Sequence, residues 1–407
     1  MTFDYTPVYR PDLPAPRDRW TGFPKFNFIG GHNDAEAVPV EDFIAASQSV
    51  LAREGHTLST YGLSSGPQGY RPLREFLARS LKSRTGMEQR PDDIMIVSGS
   101  LQALDLVNAV FLQPGDTVIV EAATYEGTLQ RLQRLGVRYI GIPLDNDGIR
   151  MDALAATLDG LKAEGVTPKY IYTIPTVQNP TGSVMPESRR LELLALARAH
   201  GVPIFEDDCY AELTFGGARP KAIRALDTEG QVIYCGSFSK TIAPALRVGY
   251  LTAEWEVLSR LLAVKYDAGS GSLEQMMLAE YCSTHFDDHV SKLQGVLKGK
   301  CETIMEALNA EFGTAAEFAA PKGGIFIWVT LPDAVDTTLL AEKAGTRGVA
   351  LNPGANWSAD PDTGRHKMRL CFGHPSLQEI RDGVALLAEI CHEEFGTPER
   401  SGNIQRS

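Results

Sequence analysis

The chain carries 407 residues, 43% of them hydrophobic, and a formal net charge of −12 from 51 acidic against 39 basic side chains. That length suffices for two domains and a large core, while the acidic balance and the absence of any Lys/Arg run argue against a nucleic-acid partner. No apolar run is long enough to span a bilayer, and the six scattered cysteines show no Cys-x-x-Cys pair that would suggest a zinc site or a disulfide framework.

In chain order, the first thirty or so residues are rich in Pro, Arg and Trp and read as an irregular arm, with no basic segment leading into an apolar one that would mark a secretory leader. With reduced thiols, this points to the cytoplasm. A helix is expected over Val40 to Arg53. From Pro91 to about Ala253, short apolar runs alternate with helical ones. Ile94–Val97, Thr117–Glu121, Arg138–Ile142, Tyr170–Ile174, Pro203–Glu206, Val232–Cys235 and Arg247–Leu251 read as strands, which implies a mostly parallel sheet covered on both faces. After about Leu258 come long helical patterns, then a strand over Gly324–Thr330, a helix near Thr337–Gly345 and a strand over Met368–Phe372. This is an α/β chain with a smaller α+β domain at its end. The expected division is residues 1–60 for the arm and part of the small domain, 61–285 for the large domain and 286–407 for the small one, with a disordered tail after Gly396.

Four groups after the strand-like runs carry chemistry. Ser98-Gly99-Ser100-Leu101 is a strand-to-helix turn of the kind that presents backbone N–H groups to an anion; such turns also occur without a ligand. Asn179 lies in Gln178-Asn179-Pro180-Thr181-Gly182, either an ordinary loop or an amide donor. Asp207 ends a buried run and suits either a helix N-cap or a partner for a protonated ring nitrogen, with Tyr210 three residues on. The run Gly236-Ser237-Phe238-Ser239-Lys240, with Arg247 seven residues beyond, combines hydroxyls and a guanidinium that suit a phosphate with a lysine able to form an imine. Each falls where open α/β sheets place ligands.

In this order, Asn-Pro-Thr-Gly, Asp-x-x-Tyr, Ser-x-Ser-Lys and the downstream Arg resemble the class I/II aminotransferases of pyridoxal-phosphate fold type I. The chain is most similar to their 2-aminoadipate, kynurenine and aromatic branch. Further matches are Phe28-Ile29-Gly30-Gly31, Gly69-Tyr70-Arg71-Pro72-Leu73-Arg74, Ser98 to Asp105 and Pro321 to Trp328, so the resemblance covers about residues 28 to 373.

The resemblance implies pyridoxal 5'-phosphate held covalently by Lys240, whose free amine then moves the substrate proton. Asp207 would hold the ring nitrogen, and Asn179 and Tyr210 the phenolic oxygen. Ser100, Ser237, Ser239, Arg247 and the Leu101 N–H would bind the phosphate, and Tyr125 would stack on the ring. Arg369, with Gly31 and Asn179, would bind substrate through its α-carboxylate. Tyr61 would reach the phosphate of a neighbouring subunit in a homodimer whose sites are shared. No metal is implied. The implied reaction is transfer of an amino group from an L-amino acid to a 2-oxo acid, 2-oxoglutarate being the expected acceptor.

Racemase, β-lyase, decarboxylase and oxidase chemistry share these cofactor contacts. A regulator using the same domain as an effector sensor would carry a DNA-binding module, and only a short arm precedes Gly30. Two departures bear on substrate: His32-Asn33 stands where relatives carry an apolar residue and a proline, and the segment from Tyr61 to Gln68 is longer than usual. Relatives that take acidic side chains often use an arginine of the arm, and Arg17 and Arg19 are available for that.

Overall fold

A computed structural model describes residues 3–11, 13–216 and 219–399; most of the tail expected to be disordered, residues 400–407, lies outside the described residues. All seven expected strands form and join one sheet. They are β1 (Ile94–Val97), β2 (Thr117–Glu121), β3 (Arg138–Ile142), β4 (Ile171–Thr173), β5 (Ile204–Asp207), β6 (Val232–Ser237) and β7 (Gly249–Thr252), in the spatial order β1-β7-β6-β5-β4-β2-β3. Only β7 runs antiparallel to its neighbours.

The continuous apolar runs follow from burial on both faces. Val118, Val120, Tyr172, Phe205 and Ile233 pack on one side of the sheet, and Ile119, Ile171, Ile204 and Val232 on the other. Two strand ends differ from expectation for reasons that matter to the site. Arg247 is not in β7: it has φ +53° and closes the turn Pro244–Leu246, which returns its side chain toward Ser98. Asp207 is the last residue of β5 and not a helix cap, because the next turn, Ala211–Leu213, starts beyond it and its carboxylate bonds elsewhere.

A second sheet is formed by β8 (Phe326–Thr330), β9 (Asn352–Pro353) and β10 (Lys367–Cys371), ordered β8-β10-β9 and antiparallel. Alternation along β10 sends Met368 and Leu370 into a core with Ile327, Val329 and Ile380. Arg369 and Cys371 therefore point the other way, Cys371 packing with the core of the seven-stranded sheet. The arm is not wholly irregular, since Phe26–Asn27 pairs in parallel with Val349–Ala350. Helix Ser272–Phe312 spans 41 residues and packs on Val40–Glu54 and Arg71–Thr85 at one side and Leu377–Phe395 at the other, bridging the two sheets. No helix among the described residues is long and apolar enough to cross a membrane.

Candidate active site

A cavity of about 260 Å³ opens at the carboxyl ends of the large sheet, against β10 and the turn around Trp357. The loops after β1, β2, β4, β5 and β6 bring Ser100, Leu101, Tyr125, Asn179, Asp207, Tyr210, Ser237, Ser239, Lys240 and Arg247 to its wall, and Gly31 and Arg369 close it from the other side. The exception is Tyr61, which is 89% exposed and lines a separate surface groove with Tyr70, Lys265 and Gln275.

Lys240 Nζ donates to the Gly31 carbonyl oxygen at 2.8 Å. A Cβ on Gly31 would stand 2.2 Å from that nitrogen, so only glycine allows the approach. Burial, joined by the positive charges of Arg369 and Arg247, holds the Lys240 amine below the ordinary lysine range. A lysine so placed carries its neutral form closer to physiological pH.

Asp207 Oδ2 accepts from Tyr172 Oη at 2.7 Å, while Oδ1 is buried without a partner. A buried acceptor left open is costly, and this one belongs to a residue lining the cavity. Burial pushes the Asp207 carboxyl up, against the Tyr172 bond to Oδ2 and the nearby Cys209 thiol and N–H, which favour its charge but make no hydrogen bond to Oδ1. Cys209 and Cys235 offer sulfurs within 4.8 Å of the Asp207 carboxylate. The Cys209 thiol is pushed well up by its bond to Cys235 and by burial, so it is protonated there.

At the opposite end, Gly99 (φ +74°) opens helix Gly99–Phe111, and a Cβ on it would lie 2.2 Å from Arg247 Nη2. Arg247 donates to the Ser98 carbonyl oxygen at 3.2 Å and to Ser239 Oγ at 3.4 Å. Hydroxyls, a guanidinium and a helix N-terminus converge here, a donor set for a dianion. Between the two ends, Asn179 Nδ2 donates to Tyr210 Oη at 3.2 Å, and Asn179 Oδ1 accepts from Arg369 Nη1 at 3.1 Å. Arg369 also donates to the Gly30 carbonyl oxygen at 2.7 Å, its Cζ lies 3.8 Å from the Trp357 ring centroid, and its Nε is buried and unpartnered. The spacing fits a planar pyridine carrying a phosphate: an acceptor for the ring nitrogen, an aromatic face at Tyr125, amide and phenol donors for a ring oxygen, and the anion cradle.

Tyr172, Cys209, Trp357, Asn352 and Glu126 are also at or beside the cavity and were not singled out from sequence. Tyr172 reads as one more strand residue, and Trp357 sits in a short turn with no motif around it. The His32-Asn33 departure resolves into packing. Asn33 Nδ2 donates to the Lys240 and Ile242 carbonyl oxygens at 3.3 and 3.2 Å, and the His32 ring lies 5.1 Å from Phe23 and 5.8 Å from His374. Neither lines the cavity. Arg17 and Arg19 are exposed on the arm, Arg17 near enough to Glu126 to help hold its carboxyl down against the dominant upward push of burial.

Residues 25–385 match the family described as aminotransferase class I and II. Aromatic-amino-acid aminotransferase 1 of Thermococcus litoralis is 38% identical over 91% of this chain and 88% of its own. The HTH-type transcriptional regulator YdfD of Bacillus subtilis is 34% identical over 89% of this chain and 73% of its own. Kynurenine aminotransferase of Pyrococcus horikoshii, solved with PMP, kynurenine and product, superposes with a TM-score of 0.85 at 37% identity, covering 91% of each chain.

Proposed function

The chain belongs to the class I and II aminotransferases, pyridoxal-phosphate-dependent transferases of fold type I, and from that premise we propose which residues act and on what. The reaction moves an amino group between an amino acid and a 2-oxo acid. Pyridoxal phosphate, when bound, supplies an electron sink conjugated to the substrate Cα.

The observation that carries the assignment of roles is the unpartnered Oδ1 of Asp207, a buried acceptor awaiting a ring N–H+. Lys240 anchors the cofactor, and its Nζ, held by burial below the ordinary lysine range, takes the proton from the substrate Cα and returns it one position along. Asn179 and Tyr210 donate to the ring oxygen. Tyr125 covers the ring face. Ser100, Ser237, Ser239, Arg247 and the Leu101 N–H hold the phosphate. Arg369 forks the α-carboxylate, with Asn179 holding the guanidinium and Gly31 forming the near wall. Tyr61, exposed on its own subunit, supports a homodimer in which it serves the partner's phosphate. Six free buried cysteines support a reducing compartment, the cytoplasm.

We place the amino donor among bulky uncharged side chains. Tyr125, Ile174 and Trp357 line the cavity together with the acidic Glu126, and two of the similar proteins named above are named for aromatic amino acids and kynurenine. The proposed acceptor is 2-oxoglutarate, whose far carboxylate Arg17 would meet beside Glu126. A single-turnover experiment without acceptor tests this. The loaded enzyme should release one equivalent of 2-oxo acid per site from L-phenylalanine or L-kynurenine. Release of ammonia, carbon dioxide or racemised amino acid in place of oxo acid would assign another reaction to the same site.

A further inference from the structure

Glu121, the last residue of β2, is fully buried and has no arginine or lysine partner among the described residues. Its Oε1 accepts from Thr173 Oγ1 at 2.8 Å and from the Ile174 N–H at 3.1 Å; its Oε2 accepts from Gln178 Nε2 at 2.8 Å and from Thr124 Oγ1 at 3.4 Å. A charge taken out of water without a counter-ion is tolerated only when donors saturate it, and one oxygen left bare would be costly. Here one carboxylate ties the ends of β2 and β4 to the loops that leave them.

Those loops are two walls of the cavity. One carries Tyr125, directly after Thr124. The other is the turn of Asn179, closed by Gln178: its Oε1 accepts from the Thr181 N–H and Oγ1, both at 2.8 Å, and its Nε2 also reaches the Ala123 carbonyl oxygen at 2.7 Å. Gln178 thus spans from the Tyr125 loop to the Asn179 turn, and Glu121 fixes its amide orientation by accepting from the nitrogen end. An amide flipped by 180° would turn its oxygen toward the Glu121 carboxylate and the Ala123 carbonyl and its nitrogen toward the Thr181 N–H.

We propose that Glu121, acting through Gln178, is a positioning residue that sets the gap between the Tyr125 loop and the Asn179 turn, and with it the seat of the cofactor ring and the reach of Asn179 to Arg369. The proposal rests on the site assignment above. Glu121 touches neither cofactor nor substrate and is not itself a catalytic residue.

The test uses Glu121→Gln, which keeps shape but must aim an NH2 at one of the two donor pairs, and Gln178→Met, which keeps length but cannot bridge. Cofactor dissociation constant, kcat and KM are read at pH 8 beside the unfolding temperature. Each variant should weaken cofactor binding and raise KM for amino acid and oxo acid roughly tenfold, the size expected for losing one hydrogen bond to a charged group. The double variant should be little worse than either single one, because both break the same link. Additive losses would show that Glu121 does not act through Gln178, and a lowered unfolding temperature with cofactor affinity and KM unchanged would show that it serves stability alone; either result overturns the proposal. If Glu121→Gln does not fold, Gln178→Met decides: wild-type affinity and KM in that variant overturn the proposal. Wild-type turnover in the same assays keeps the site assignment separate from this outcome.

Discussion

The two walls of the cavity are built on different terms. On the large-sheet side, Asn179, Asp207 and Lys240 follow or end β4, β5 and β6, buried on both faces, so backbone positions are set by ladder hydrogen bonds and core packing. On the small-sheet side, Arg369 lies within β10, opposite Trp328 and Asn352, and is held by its stack on Trp357 and bonds to Gly30 and Asn179. On the first wall burial raises the pKa of Asp207 and lowers that of Lys240. The second presents a fork that keeps a donor, Nε, unused. The proposed covalent and protonic steps fall on the first wall, and the proposed recognition of the substrate carboxylate falls on the second.

The comparison breaks first at Lys240. Lys240→Ala should lower turnover by more than about a thousandfold, since anchor and base are lost together. Borohydride trapping and peptide mapping of the wild type should place the cofactor on Lys240; a label on another lysine would move the anchor elsewhere. Asp207→Ala should cost about a thousandfold in rate and weaken cofactor binding, as for loss of a principal electrostatic stabiliser. Near-normal turnover would mean that another group meets the ring nitrogen.

The recognition wall should respond more mildly. Arg369→Lys replaces a fork by a point charge and should lower kcat/KM by roughly ten- to several-hundredfold for all substrates alike, about 1.5–3 kcal/mol, with cofactor content unchanged. A loss confined to dicarboxylic substrates would show that Arg369 reads the side chain.

A last effect is on stability and concerns Glu121, the buried carboxylate at the end of β2. Burial raises Glu121 from 4.5 to about 7 despite its four donors. A group whose pKa is raised on folding contributes stability that is full below its unfolded value and lost as pH rises through the folded one. Between pH 4.5 and 7 the wild type should therefore lose up to about 3 kcal/mol that Glu121→Gln does not lose. Parallel denaturation profiles for the two proteins would show that Glu121 is ionised throughout this range.

Much of the first wall could be read from the chain because strand periodicity and turn chemistry are local. The runs Ile94–Val97 and Thr117–Glu121 form strands with the bounds expected, and the motifs around Ser100, Asn179, Asp207 and Lys240 stand directly after strands. Strand ends were less readable. Arg247 looks like the start of a strand, yet its left-handed backbone closes the turn Pro244–Leu246 and its side chain packs against Gly99, far away in sequence. The His32-Asn33 departure bears on substrate when read in the sequence; in the fold Asn33 is a strut to the Lys240 segment, its partners being the distant backbone oxygens of Lys240 and Ile242, and His32 packs against Phe23 and His374.

By itself, then, the sequence determined the α/β class, the seven strands and the chemical groups at their carboxyl ends, since alternation, burial and turn formation depend on neighbours a few residues away. Only the tertiary structure decided that Tyr172 holds one oxygen of Asp207 and leaves the other open, that Trp357 stacks on Arg369, and that Glu121 joins two loops through Gln178. These contacts join residues far apart in the chain, and a donor reveals its acceptor only when folding brings both into the same water-excluded volume.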